Sequence, residues 1–180
     1  ALNTTNNINY GYGLGFQLDG NDKPHVSYYD DIEKHLYYGS KKTGSWVVSK
    51  IDSAGDVGKY SSMILEGDSI VHLMYIGLLS GDSSVLCHNV LRSGVWTKTI
   101  VDTLLNVSIS ARKILSLQKD NQNNLQVVYG TQSYIVHLKQ TAATWEKTIL
   151  LDVNNEATPA LGQGLNFKLD DEGKMHIAYY

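Results

Sequence analysis

Apolar residues alternate with small or polar residues in short runs along the whole chain, which is the period of two typical of β-strands. No stretch shows the 3.6-residue periodicity of an amphipathic helix. Gly, Asn and Asp are frequent between the runs, and these residues tolerate the tight geometry of hairpin turns. The pattern therefore predicts an all-β chain of short antiparallel strands.

The strand pattern also repeats along the chain, with a period of about 50 residues. Each copy has a Leu at the end of one strand, a polar turn, and a second strand that begins with His or Gln and reaches a Tyr. The copies start at Leu18, Leu65, Leu117 and Leu169, and the second strand of each carries His25, His72, Gln126 or His176. The repeat predicts one supersecondary unit used several times.

Three tryptophans, Trp46, Trp96 and Trp145, recur with the same period and provide an independent register for the repeat. Each precedes an Asp by a few residues; these are Asp52, Asp102 and Asp152. We expect the tryptophans to lie at equivalent positions in successive units and to be largely buried.

A four-stranded antiparallel unit of about 50 residues in tandem is typical of β-propeller blades. We call the strands of each unit A to D in chain order. The predicted fold is an all-β propeller with about three and a half blades, in one segment over residues 1–180. The units are predicted at residues 13–52, 60–102 and 111–152, with an incomplete unit at 164–180.

Composition and charge exclude several classes of function. Hydrophobic residues make up 42% of the 180 residues, which argues against disorder. The net charge is −3 and no basic stripe occurs, so we expect no nucleic-acid partner. No apolar run approaches the roughly 20 residues that a membrane span needs. The single cysteine, Cys87, lies in an apolar run, which favours a buried thiol over a reactive one.

The turns before the tryptophans resemble the Asp-box of the sialidase-like propeller superfamily, whose motif reads Ser-x-Asp-x-Gly-x-Thr-Trp. The matching segments are 40–46, 92–96 and 140–145; Trp is present in all three, Gly in two, and the Asp in none. These are degenerate Asp-boxes. The run Pro24–Asp30 also resembles repeats of uncharacterised propellers. The resemblance implies a propeller fold over nearly the whole chain.

Sialidases of this superfamily bind a carboxylate with three arginines and use a Tyr nucleophile with a Glu partner. This chain has only Arg92 and Arg112, so the arginine triad cannot form within it. An enzyme therefore stays open only as an alternative, in which the chain is a segment of a glycan-acting propeller whose catalytic residues lie outside it.

Three histidines at one strand position, His25, His72 and His176, also fit a zinc site in residue type. Repeat-related residues usually have the same structural role in each blade, and separate blades hold them too far apart to share one ion. We therefore expect no metal and no cofactor. Acidic residues in the A–B turns, among them Asp19 and Asp170, are interpreted as turn residues and not as calcium ligands.

The D–A and B–C connections of propeller blades share one face, where ligands generally bind. Carboxylates beside aromatic rings suit sugars, and the candidate ligand-binding residues are Asp30, Asp52, Tyr60 and Asp102. A solvated acidic rim is the open alternative for the same residues. The sequence favours a non-catalytic binding or scaffold propeller, secreted or at the cell surface, that binds a carbohydrate or a protein; a purely structural array is a third option.

The predicted strands do not close a ring, because the fourth unit has only strands A and B. An open array would expose an apolar blade face and an unpaired strand edge. We therefore expect additional blades from the same protein, or a homo-oligomer that completes the ring between chains.

Overall fold

The computed structural model describes residues 13–78, 83–105, 114–131, 133–142, 144–152 and 164–179. All regular elements in these ranges are β-strands, as the period of two predicts. None of the described residues forms a helix long and apolar enough to cross a membrane. Arg112 and the predicted unit boundaries at residues 111 and 180 lie outside the described ranges.

The first two sheets each contain four strands in chain order. Blade 1 consists of β1 (Leu14–Leu18), β2 (Pro24–Asp30), β3 (His35–Ser40) and β4 (Val47–Asp52), paired antiparallel. Blade 2 consists of β5 (Val57–Glu66), β6 (Ile70–Leu78), β7 (Ser83–Arg92) and β8 (Val95–Leu105).

The later strands repeat this arrangement once and then begin it again. Blade 3 consists of β9 (Leu115–Lys119), β10 (Leu125–Gly130), β11 (Tyr134–Gln140) and β12 (Trp145–Asp152). The half-blade is a two-stranded sheet of β13 (Leu165–Leu169) and β14 (Met175–Tyr179). The described residues thus contain three four-stranded sheets and one two-stranded sheet, and the total number of blades stays a prediction.

Aspartates close the A–B turns, because a carboxylate oxygen can accept the backbone N–H groups of the next few residues. Asp19 Oδ1 accepts hydrogen bonds from the N–H groups of Asn21 and Lys23, both at 2.9 Å. Asp170 Oδ1 does the same with Glu172 and Lys174, at 3.1 and 2.7 Å. The interpretation of these acidic residues as turn residues is confirmed.

The chain divides into two compact units, Ala1–Thr103 and Leu104–Tyr180, and each contains its own apolar core. In the first unit, blade 1 packs on blade 2 through a core cluster; its buried members are Leu36, Tyr38, Val57, Met63, Val71, Leu73, Tyr75, Val85 and Cys87. In the second unit, the half-blade packs on blade 3; the buried members of this core are Val128, Ile135, Leu165 and Phe167.

Hydrogen bonds join strand A of one blade to strand A of the blade packed on it. Gln17 Nε2 of β1 donates to the carbonyl oxygen of Met63 in β5, at 3.2 Å. In the second unit, Ser116 Oγ of β9 donates to the carbonyl oxygen of Phe167 in β13, at 3.3 Å. The two donors are not at equivalent positions, because Gln118, and not Ser116, lies opposite Gln126 as Gln17 lies opposite His25. The third copy of the repeat is therefore shifted by two residues from the prediction, and Lys119 takes the place that was assigned to Leu117.

The tryptophans occupy equivalent positions at the start of strand D, but all three are half-buried and not largely buried as predicted. Strand D is an edge strand of each four-stranded sheet, so an indole there has a neighbouring strand on one side only. Cys87, by contrast, is fully buried, as expected. Burial raises the pKa of its thiol to about 11, which keeps it protonated at neutral pH.

Candidate functional site

A chain of polar side chains crosses each blade from the A–B turn to strand C, and the repeated histidines are its middle members. In blade 1, His25 Nε2 lies 3.4 Å from Asp19 Oδ2, and His25 Nδ1 lies 2.5 Å from the Tyr38 hydroxyl. One tautomer satisfies both contacts: Nε2–H donates to Asp19, and Nδ1 accepts from Tyr38.

Blade 2 has the same polar chain with a second imidazole in place of the tyrosine. His72 Nε2 lies 3.2 Å from Glu66 Oε2, and His72 Nδ1 lies 3.0 Å from His88 Nε2. The two rings are stacked with their centroids 5.2 Å apart. Burial, and then the neighbouring His72, lower the pKa of His88 to about 4, so His88 is neutral at pH 7.

Blade 3 has an amide at the middle position and keeps the direction of the hydrogen bonds. Gln126 Nε2 donates to Asp120 Oδ2 at 3.0 Å, and Gln126 Oε1 accepts from His137 Nε2 at 2.9 Å. In the half-blade, His176 Nε2 lies 2.8 Å from Asp170 Oδ2. Each middle residue thus has an acidic partner within its own sheet, which is the structural role that the repeat predicted.

No group of three His, Cys, Asp or Glu side chains is placed to hold a metal ion in the part of the chain that the structure describes. The polar contacts of His25, His72 and His176 described above lie within single blades. The expectation of no metal and no cofactor stays a prediction.

A second polar cluster lies between blades 1 and 2, at the edge of the first core. Asp52, at the end of β4, accepts hydrogen bonds on Oδ2 from the Tyr75 hydroxyl at 2.7 Å and from Lys98 Nζ at 2.5 Å. Its Oδ1 accepts the backbone N–H of Ala54 at 3.1 Å. Burial acts to raise the pKa of Asp52, but the bonds from Lys98 and Tyr75 outweigh it and hold the pKa below its usual value.

Asn89 of β7 completes the buried side of this cluster. Its Nδ2 lies 3.5 Å from the Tyr75 hydroxyl, and within the described ranges its Oδ1 has no hydrogen-bond donor although it is buried. A buried amide oxygen without a donor costs about 1–3 kcal/mol. This oxygen therefore favours any hydroxyl or water that reaches it.

The exposed side of the cluster is formed by β8. Trp96 and Lys98 are two residues apart on this strand, so their side chains lie on the same face of the sheet. The Trp96 ring packs edge-on against Tyr38 of blade 1, with centroids 5.3 Å apart, and the Lys98 side chain is 32% exposed. We call the cluster of Asp52, Tyr75, Asn89, Trp96 and Lys98 the interblade groove; its first three members are buried, and Trp96 and Lys98 form its outer side.

Of the four candidate residues from the sequence, Asp52 belongs to the interblade groove. Asp30 is buried, and its Oδ1 accepts the backbone N–H groups of Ile32 and Glu33 at 2.9 Å, which closes the B–C turn. Tyr60 is also buried, and its backbone is left-handed, with φ of 56°. Asp102 lies half-buried near the end of β8, and its carboxylate accepts the N–H of Thr103.

Sequence reasoning did not identify Lys98, Tyr75 or Asn89 as site residues. A clue was present in the repeat: a Lys follows two residues after Trp96, and Lys147 stands at the same distance after Trp145. Tyr75 and Asn89 carry no clue of this kind, because their role depends on how two sheets pack.

Comparison with known proteins adds information on the fold. No family model and no curated protein matches the sequence. A fucose lectin from Kordia zhangzhouensis, solved in complex with methyl-fucoside, matches with a TM-score of 0.56 and 10% sequence identity, over 78% of this chain and 99% of that chain. A triple arginine-to-alanine mutant of AofleA from Arthrobotrys oligospora matches with a TM-score of 0.42 and 12% identity, over 96% of this chain and 66% of that chain.

The likeness to the Kordia lectin is one of fold and supports the all-β, blade-like architecture. The resemblance to sialidase-like propellers, with its degenerate Asp-boxes, stays a prediction.

Proposed function

We propose that this chain is a non-catalytic carbohydrate-binding segment of a β-propeller, and that the interblade groove is its glycan site. The observation that carries the proposal is the Asp52–Lys98 pair beside the Trp96 ring. A carboxylate accepts hydrogen bonds from sugar hydroxyls, an ammonium group donates to them, and an aromatic face covers the apolar side of a sugar ring.

The charge state of Asp52 favours binding over catalysis. Glycoside hydrolysis uses a carboxylic acid with a raised pKa as proton donor. Asp52 has a lowered pKa because of Lys98 and Tyr75, so at neutral pH it is ionised and only accepts hydrogen bonds. The alternative of a glycan-acting enzyme has no comparable support in the described residues.

The other candidate residues have different places in this proposal. Asp102, half-buried near the end of β8, stays a candidate for ligand contact, whereas Asp30 closes the B–C turn and Tyr60 is buried within β5. A secreted or cell-surface location belongs to the same proposal, since glycans of other cells are met outside the cytoplasm.

A glycan array with the full chain identifies the ligand, and calorimetric titration then measures its affinity for variants. Lys98→Met removes the exposed donor while keeping the length of the side chain. We expect it to weaken binding by roughly 10- to 100-fold, because a hydrogen bond to a charged group contributes about 1.5–3 kcal/mol.

Lys50→Met is the matched control. Lys50 also lies on a strand D and also pairs with a carboxylate, Glu33, at 2.7 Å, but it lies on the other face of blade 1. This variant should bind as the natural sequence does. The proposal is wrong if no glycan binds, or if Lys98→Met leaves the affinity unchanged.

A further inference from the structure

On the face of blade 1 that points away from blade 2, strand A is apolar and exposed, whereas Val26 and Tyr28 of strand B on the same face are buried. Leu14, Phe16 and Leu18 alternate along β1, so they share one face of the sheet, and they are 57%, 54% and 50% exposed. We call these three residues the Phe16 face. Large apolar side chains grouped on a surface in this way mark an interaction site.

The repeat shows what normally covers this position. Phe16 corresponds to Met63 of blade 2 and to Phe167 of the half-blade, which are 3% and 0% exposed. Met63 is covered by blade 1, and Phe167 is covered by blade 3. In both cases the covering element is the other face of a preceding blade, so the Phe16 face has the chemistry of a surface that receives a blade.

The half-blade carries a surface of the matching kind. Asn166, Lys168, His176 and Ala178 are exposed together on the face opposite Phe167, which we call the outer half-blade face. Between blades 1 and 2, Gln17 stands at the position of Lys168 and donates to the main-chain carbonyl of Met63, which stands at the position of Phe16. An ammonium group at this position is also a donor.

We propose that the outer half-blade face of one copy docks on the Phe16 face of a second copy. Lys168 then donates to the Phe16 carbonyl of the partner, and Ala178 takes the place that Ser27 has against Ser61 between blades 1 and 2. The interface is head-to-tail, because the two surfaces differ, and such interfaces build closed rings when the rotation per copy closes.

Analytical ultracentrifugation of the full chain over a wide concentration range tests the proposal. The natural sequence should have a mass that rises with concentration to a multiple of the 20.0 kDa chain mass. Phe16→Lys and Ala178→Lys should each be monomeric. The first variant places a second ammonium group next to Lys168 of the other copy, and the second places an ammonium group against the apolar Phe16 face of the other copy. Both positions are exposed, so both variants should keep the natural circular dichroism spectrum.

Mixing the two variants distinguishes head-to-tail docking from other modes. Each variant keeps the half of the interface that the other has lost, so the mixture should form a species of two chains and no larger one. Ile32→Lys is the control, because Ile32 is 63% exposed in the B–C turn, away from β1. This variant should associate like the natural sequence.

A monomer at all concentrations for the natural sequence overturns the proposal. The proposal is also overturned if Phe16→Lys no longer associates while Ala178→Lys associates like the natural sequence. That result indicates that two Phe16 faces pair with each other.

Discussion

The partners of residues in the polar chains change their pKa values. For His88 this change should have the largest effect on how folding stability depends on pH. The His88 ring is buried against His72, and its pKa in the folded protein is about 4, compared with an ordinary value of 6.5. The unfolded chain therefore binds more protons than the folded protein between these two values. Folding stability must then fall as the pH decreases from 6.5 to about 4. Above pH 6.5 the contribution of neutral His88 to stability is fully present.

We expect His88 to reduce the free energy of unfolding by about 3 kcal/mol over this interval, since one pKa unit corresponds to about 1.4 kcal/mol. His88→Tyr supplies the hydroxyl that Tyr38 supplies in blade 1 and should remove most of this decrease. Urea unfolding at pH 7 and pH 4.5 measures both proteins. His137 acts in the same direction because burial also lowers its pKa, so a smaller decrease should remain.

His35→Gln is the control for loss of a histidine, because His35 lies at the surface beside Glu33. Its stability should decrease with acid as in the natural sequence. Equal unfolding midpoints at the two pH values for the natural protein would contradict the prediction.

The sequence predicted the identity of these residues better than their geometry. The period placed His25, His72, Gln126 and His176 at one position, and this position is the same in each sheet. Asp19 and Asp170 were predicted as turn residues, but their second bond to strand B was not, because it depends on the hairpin register. The groove pair of Asp52 and Lys98 joins residues 46 positions apart, which no local pattern reveals.

At the scale of strands, close approach of backbones decides how one blade fits the next. Gly58 lies in β5 with a φ of 108°, and a Cβ atom there would lie 2.8 Å from the Leu36 Cα atom of β3. Gly55 has a similar φ of 95°, but a Cβ atom there would have no neighbour within 4 Å. Substituting the two glycines therefore distinguishes the cost of backbone strain, which both share, from the cost of close packing, which only Gly58 has.

Gly55→Ala should lower the free energy of unfolding by about 1–2 kcal/mol, because only the left-handed backbone is strained. Gly58→Ala should lower the free energy of unfolding by about 1–3 kcal/mol more than Gly55→Ala does, because the new methyl group displaces β3 from β5. Thermal or urea unfolding of the two variants measures the difference. Equal losses would show that blades 1 and 2 are less closely packed than the structure indicates.

Strands and turns were the most predictable part of the fold, because period and turn chemistry are local. The tryptophans were placed correctly in the repeat, but their burial was overestimated. Trp96, for example, packs against Tyr38 of the preceding blade from an edge strand, and sequence periodicity does not distinguish edge strands from central ones.

At the scale of the whole molecule, stability should be distributed unevenly, since in the described part of the chain three sheets have four strands and the half-blade has two. A two-stranded hairpin alone is marginally stable in water and depends on packing against another element. For β13 and β14 that element is blade 3, and Phe167, which is fully buried, is the largest side chain in the contact.

Phe167→Ala should therefore release the half-blade before it affects the rest of the chain. Removal of a buried Phe side chain costs about 3–5 kcal/mol, which exceeds what two short strands contribute by themselves. Hydrogen exchange should become faster in β14 while β6, in the other compact unit, keeps its protection. Lys168→Ala is the control, because Lys168 lies on the exposed face of the same strand. Protection of β14 that survives Phe167→Ala would show that the half-blade is held by contacts other than the core with blade 3.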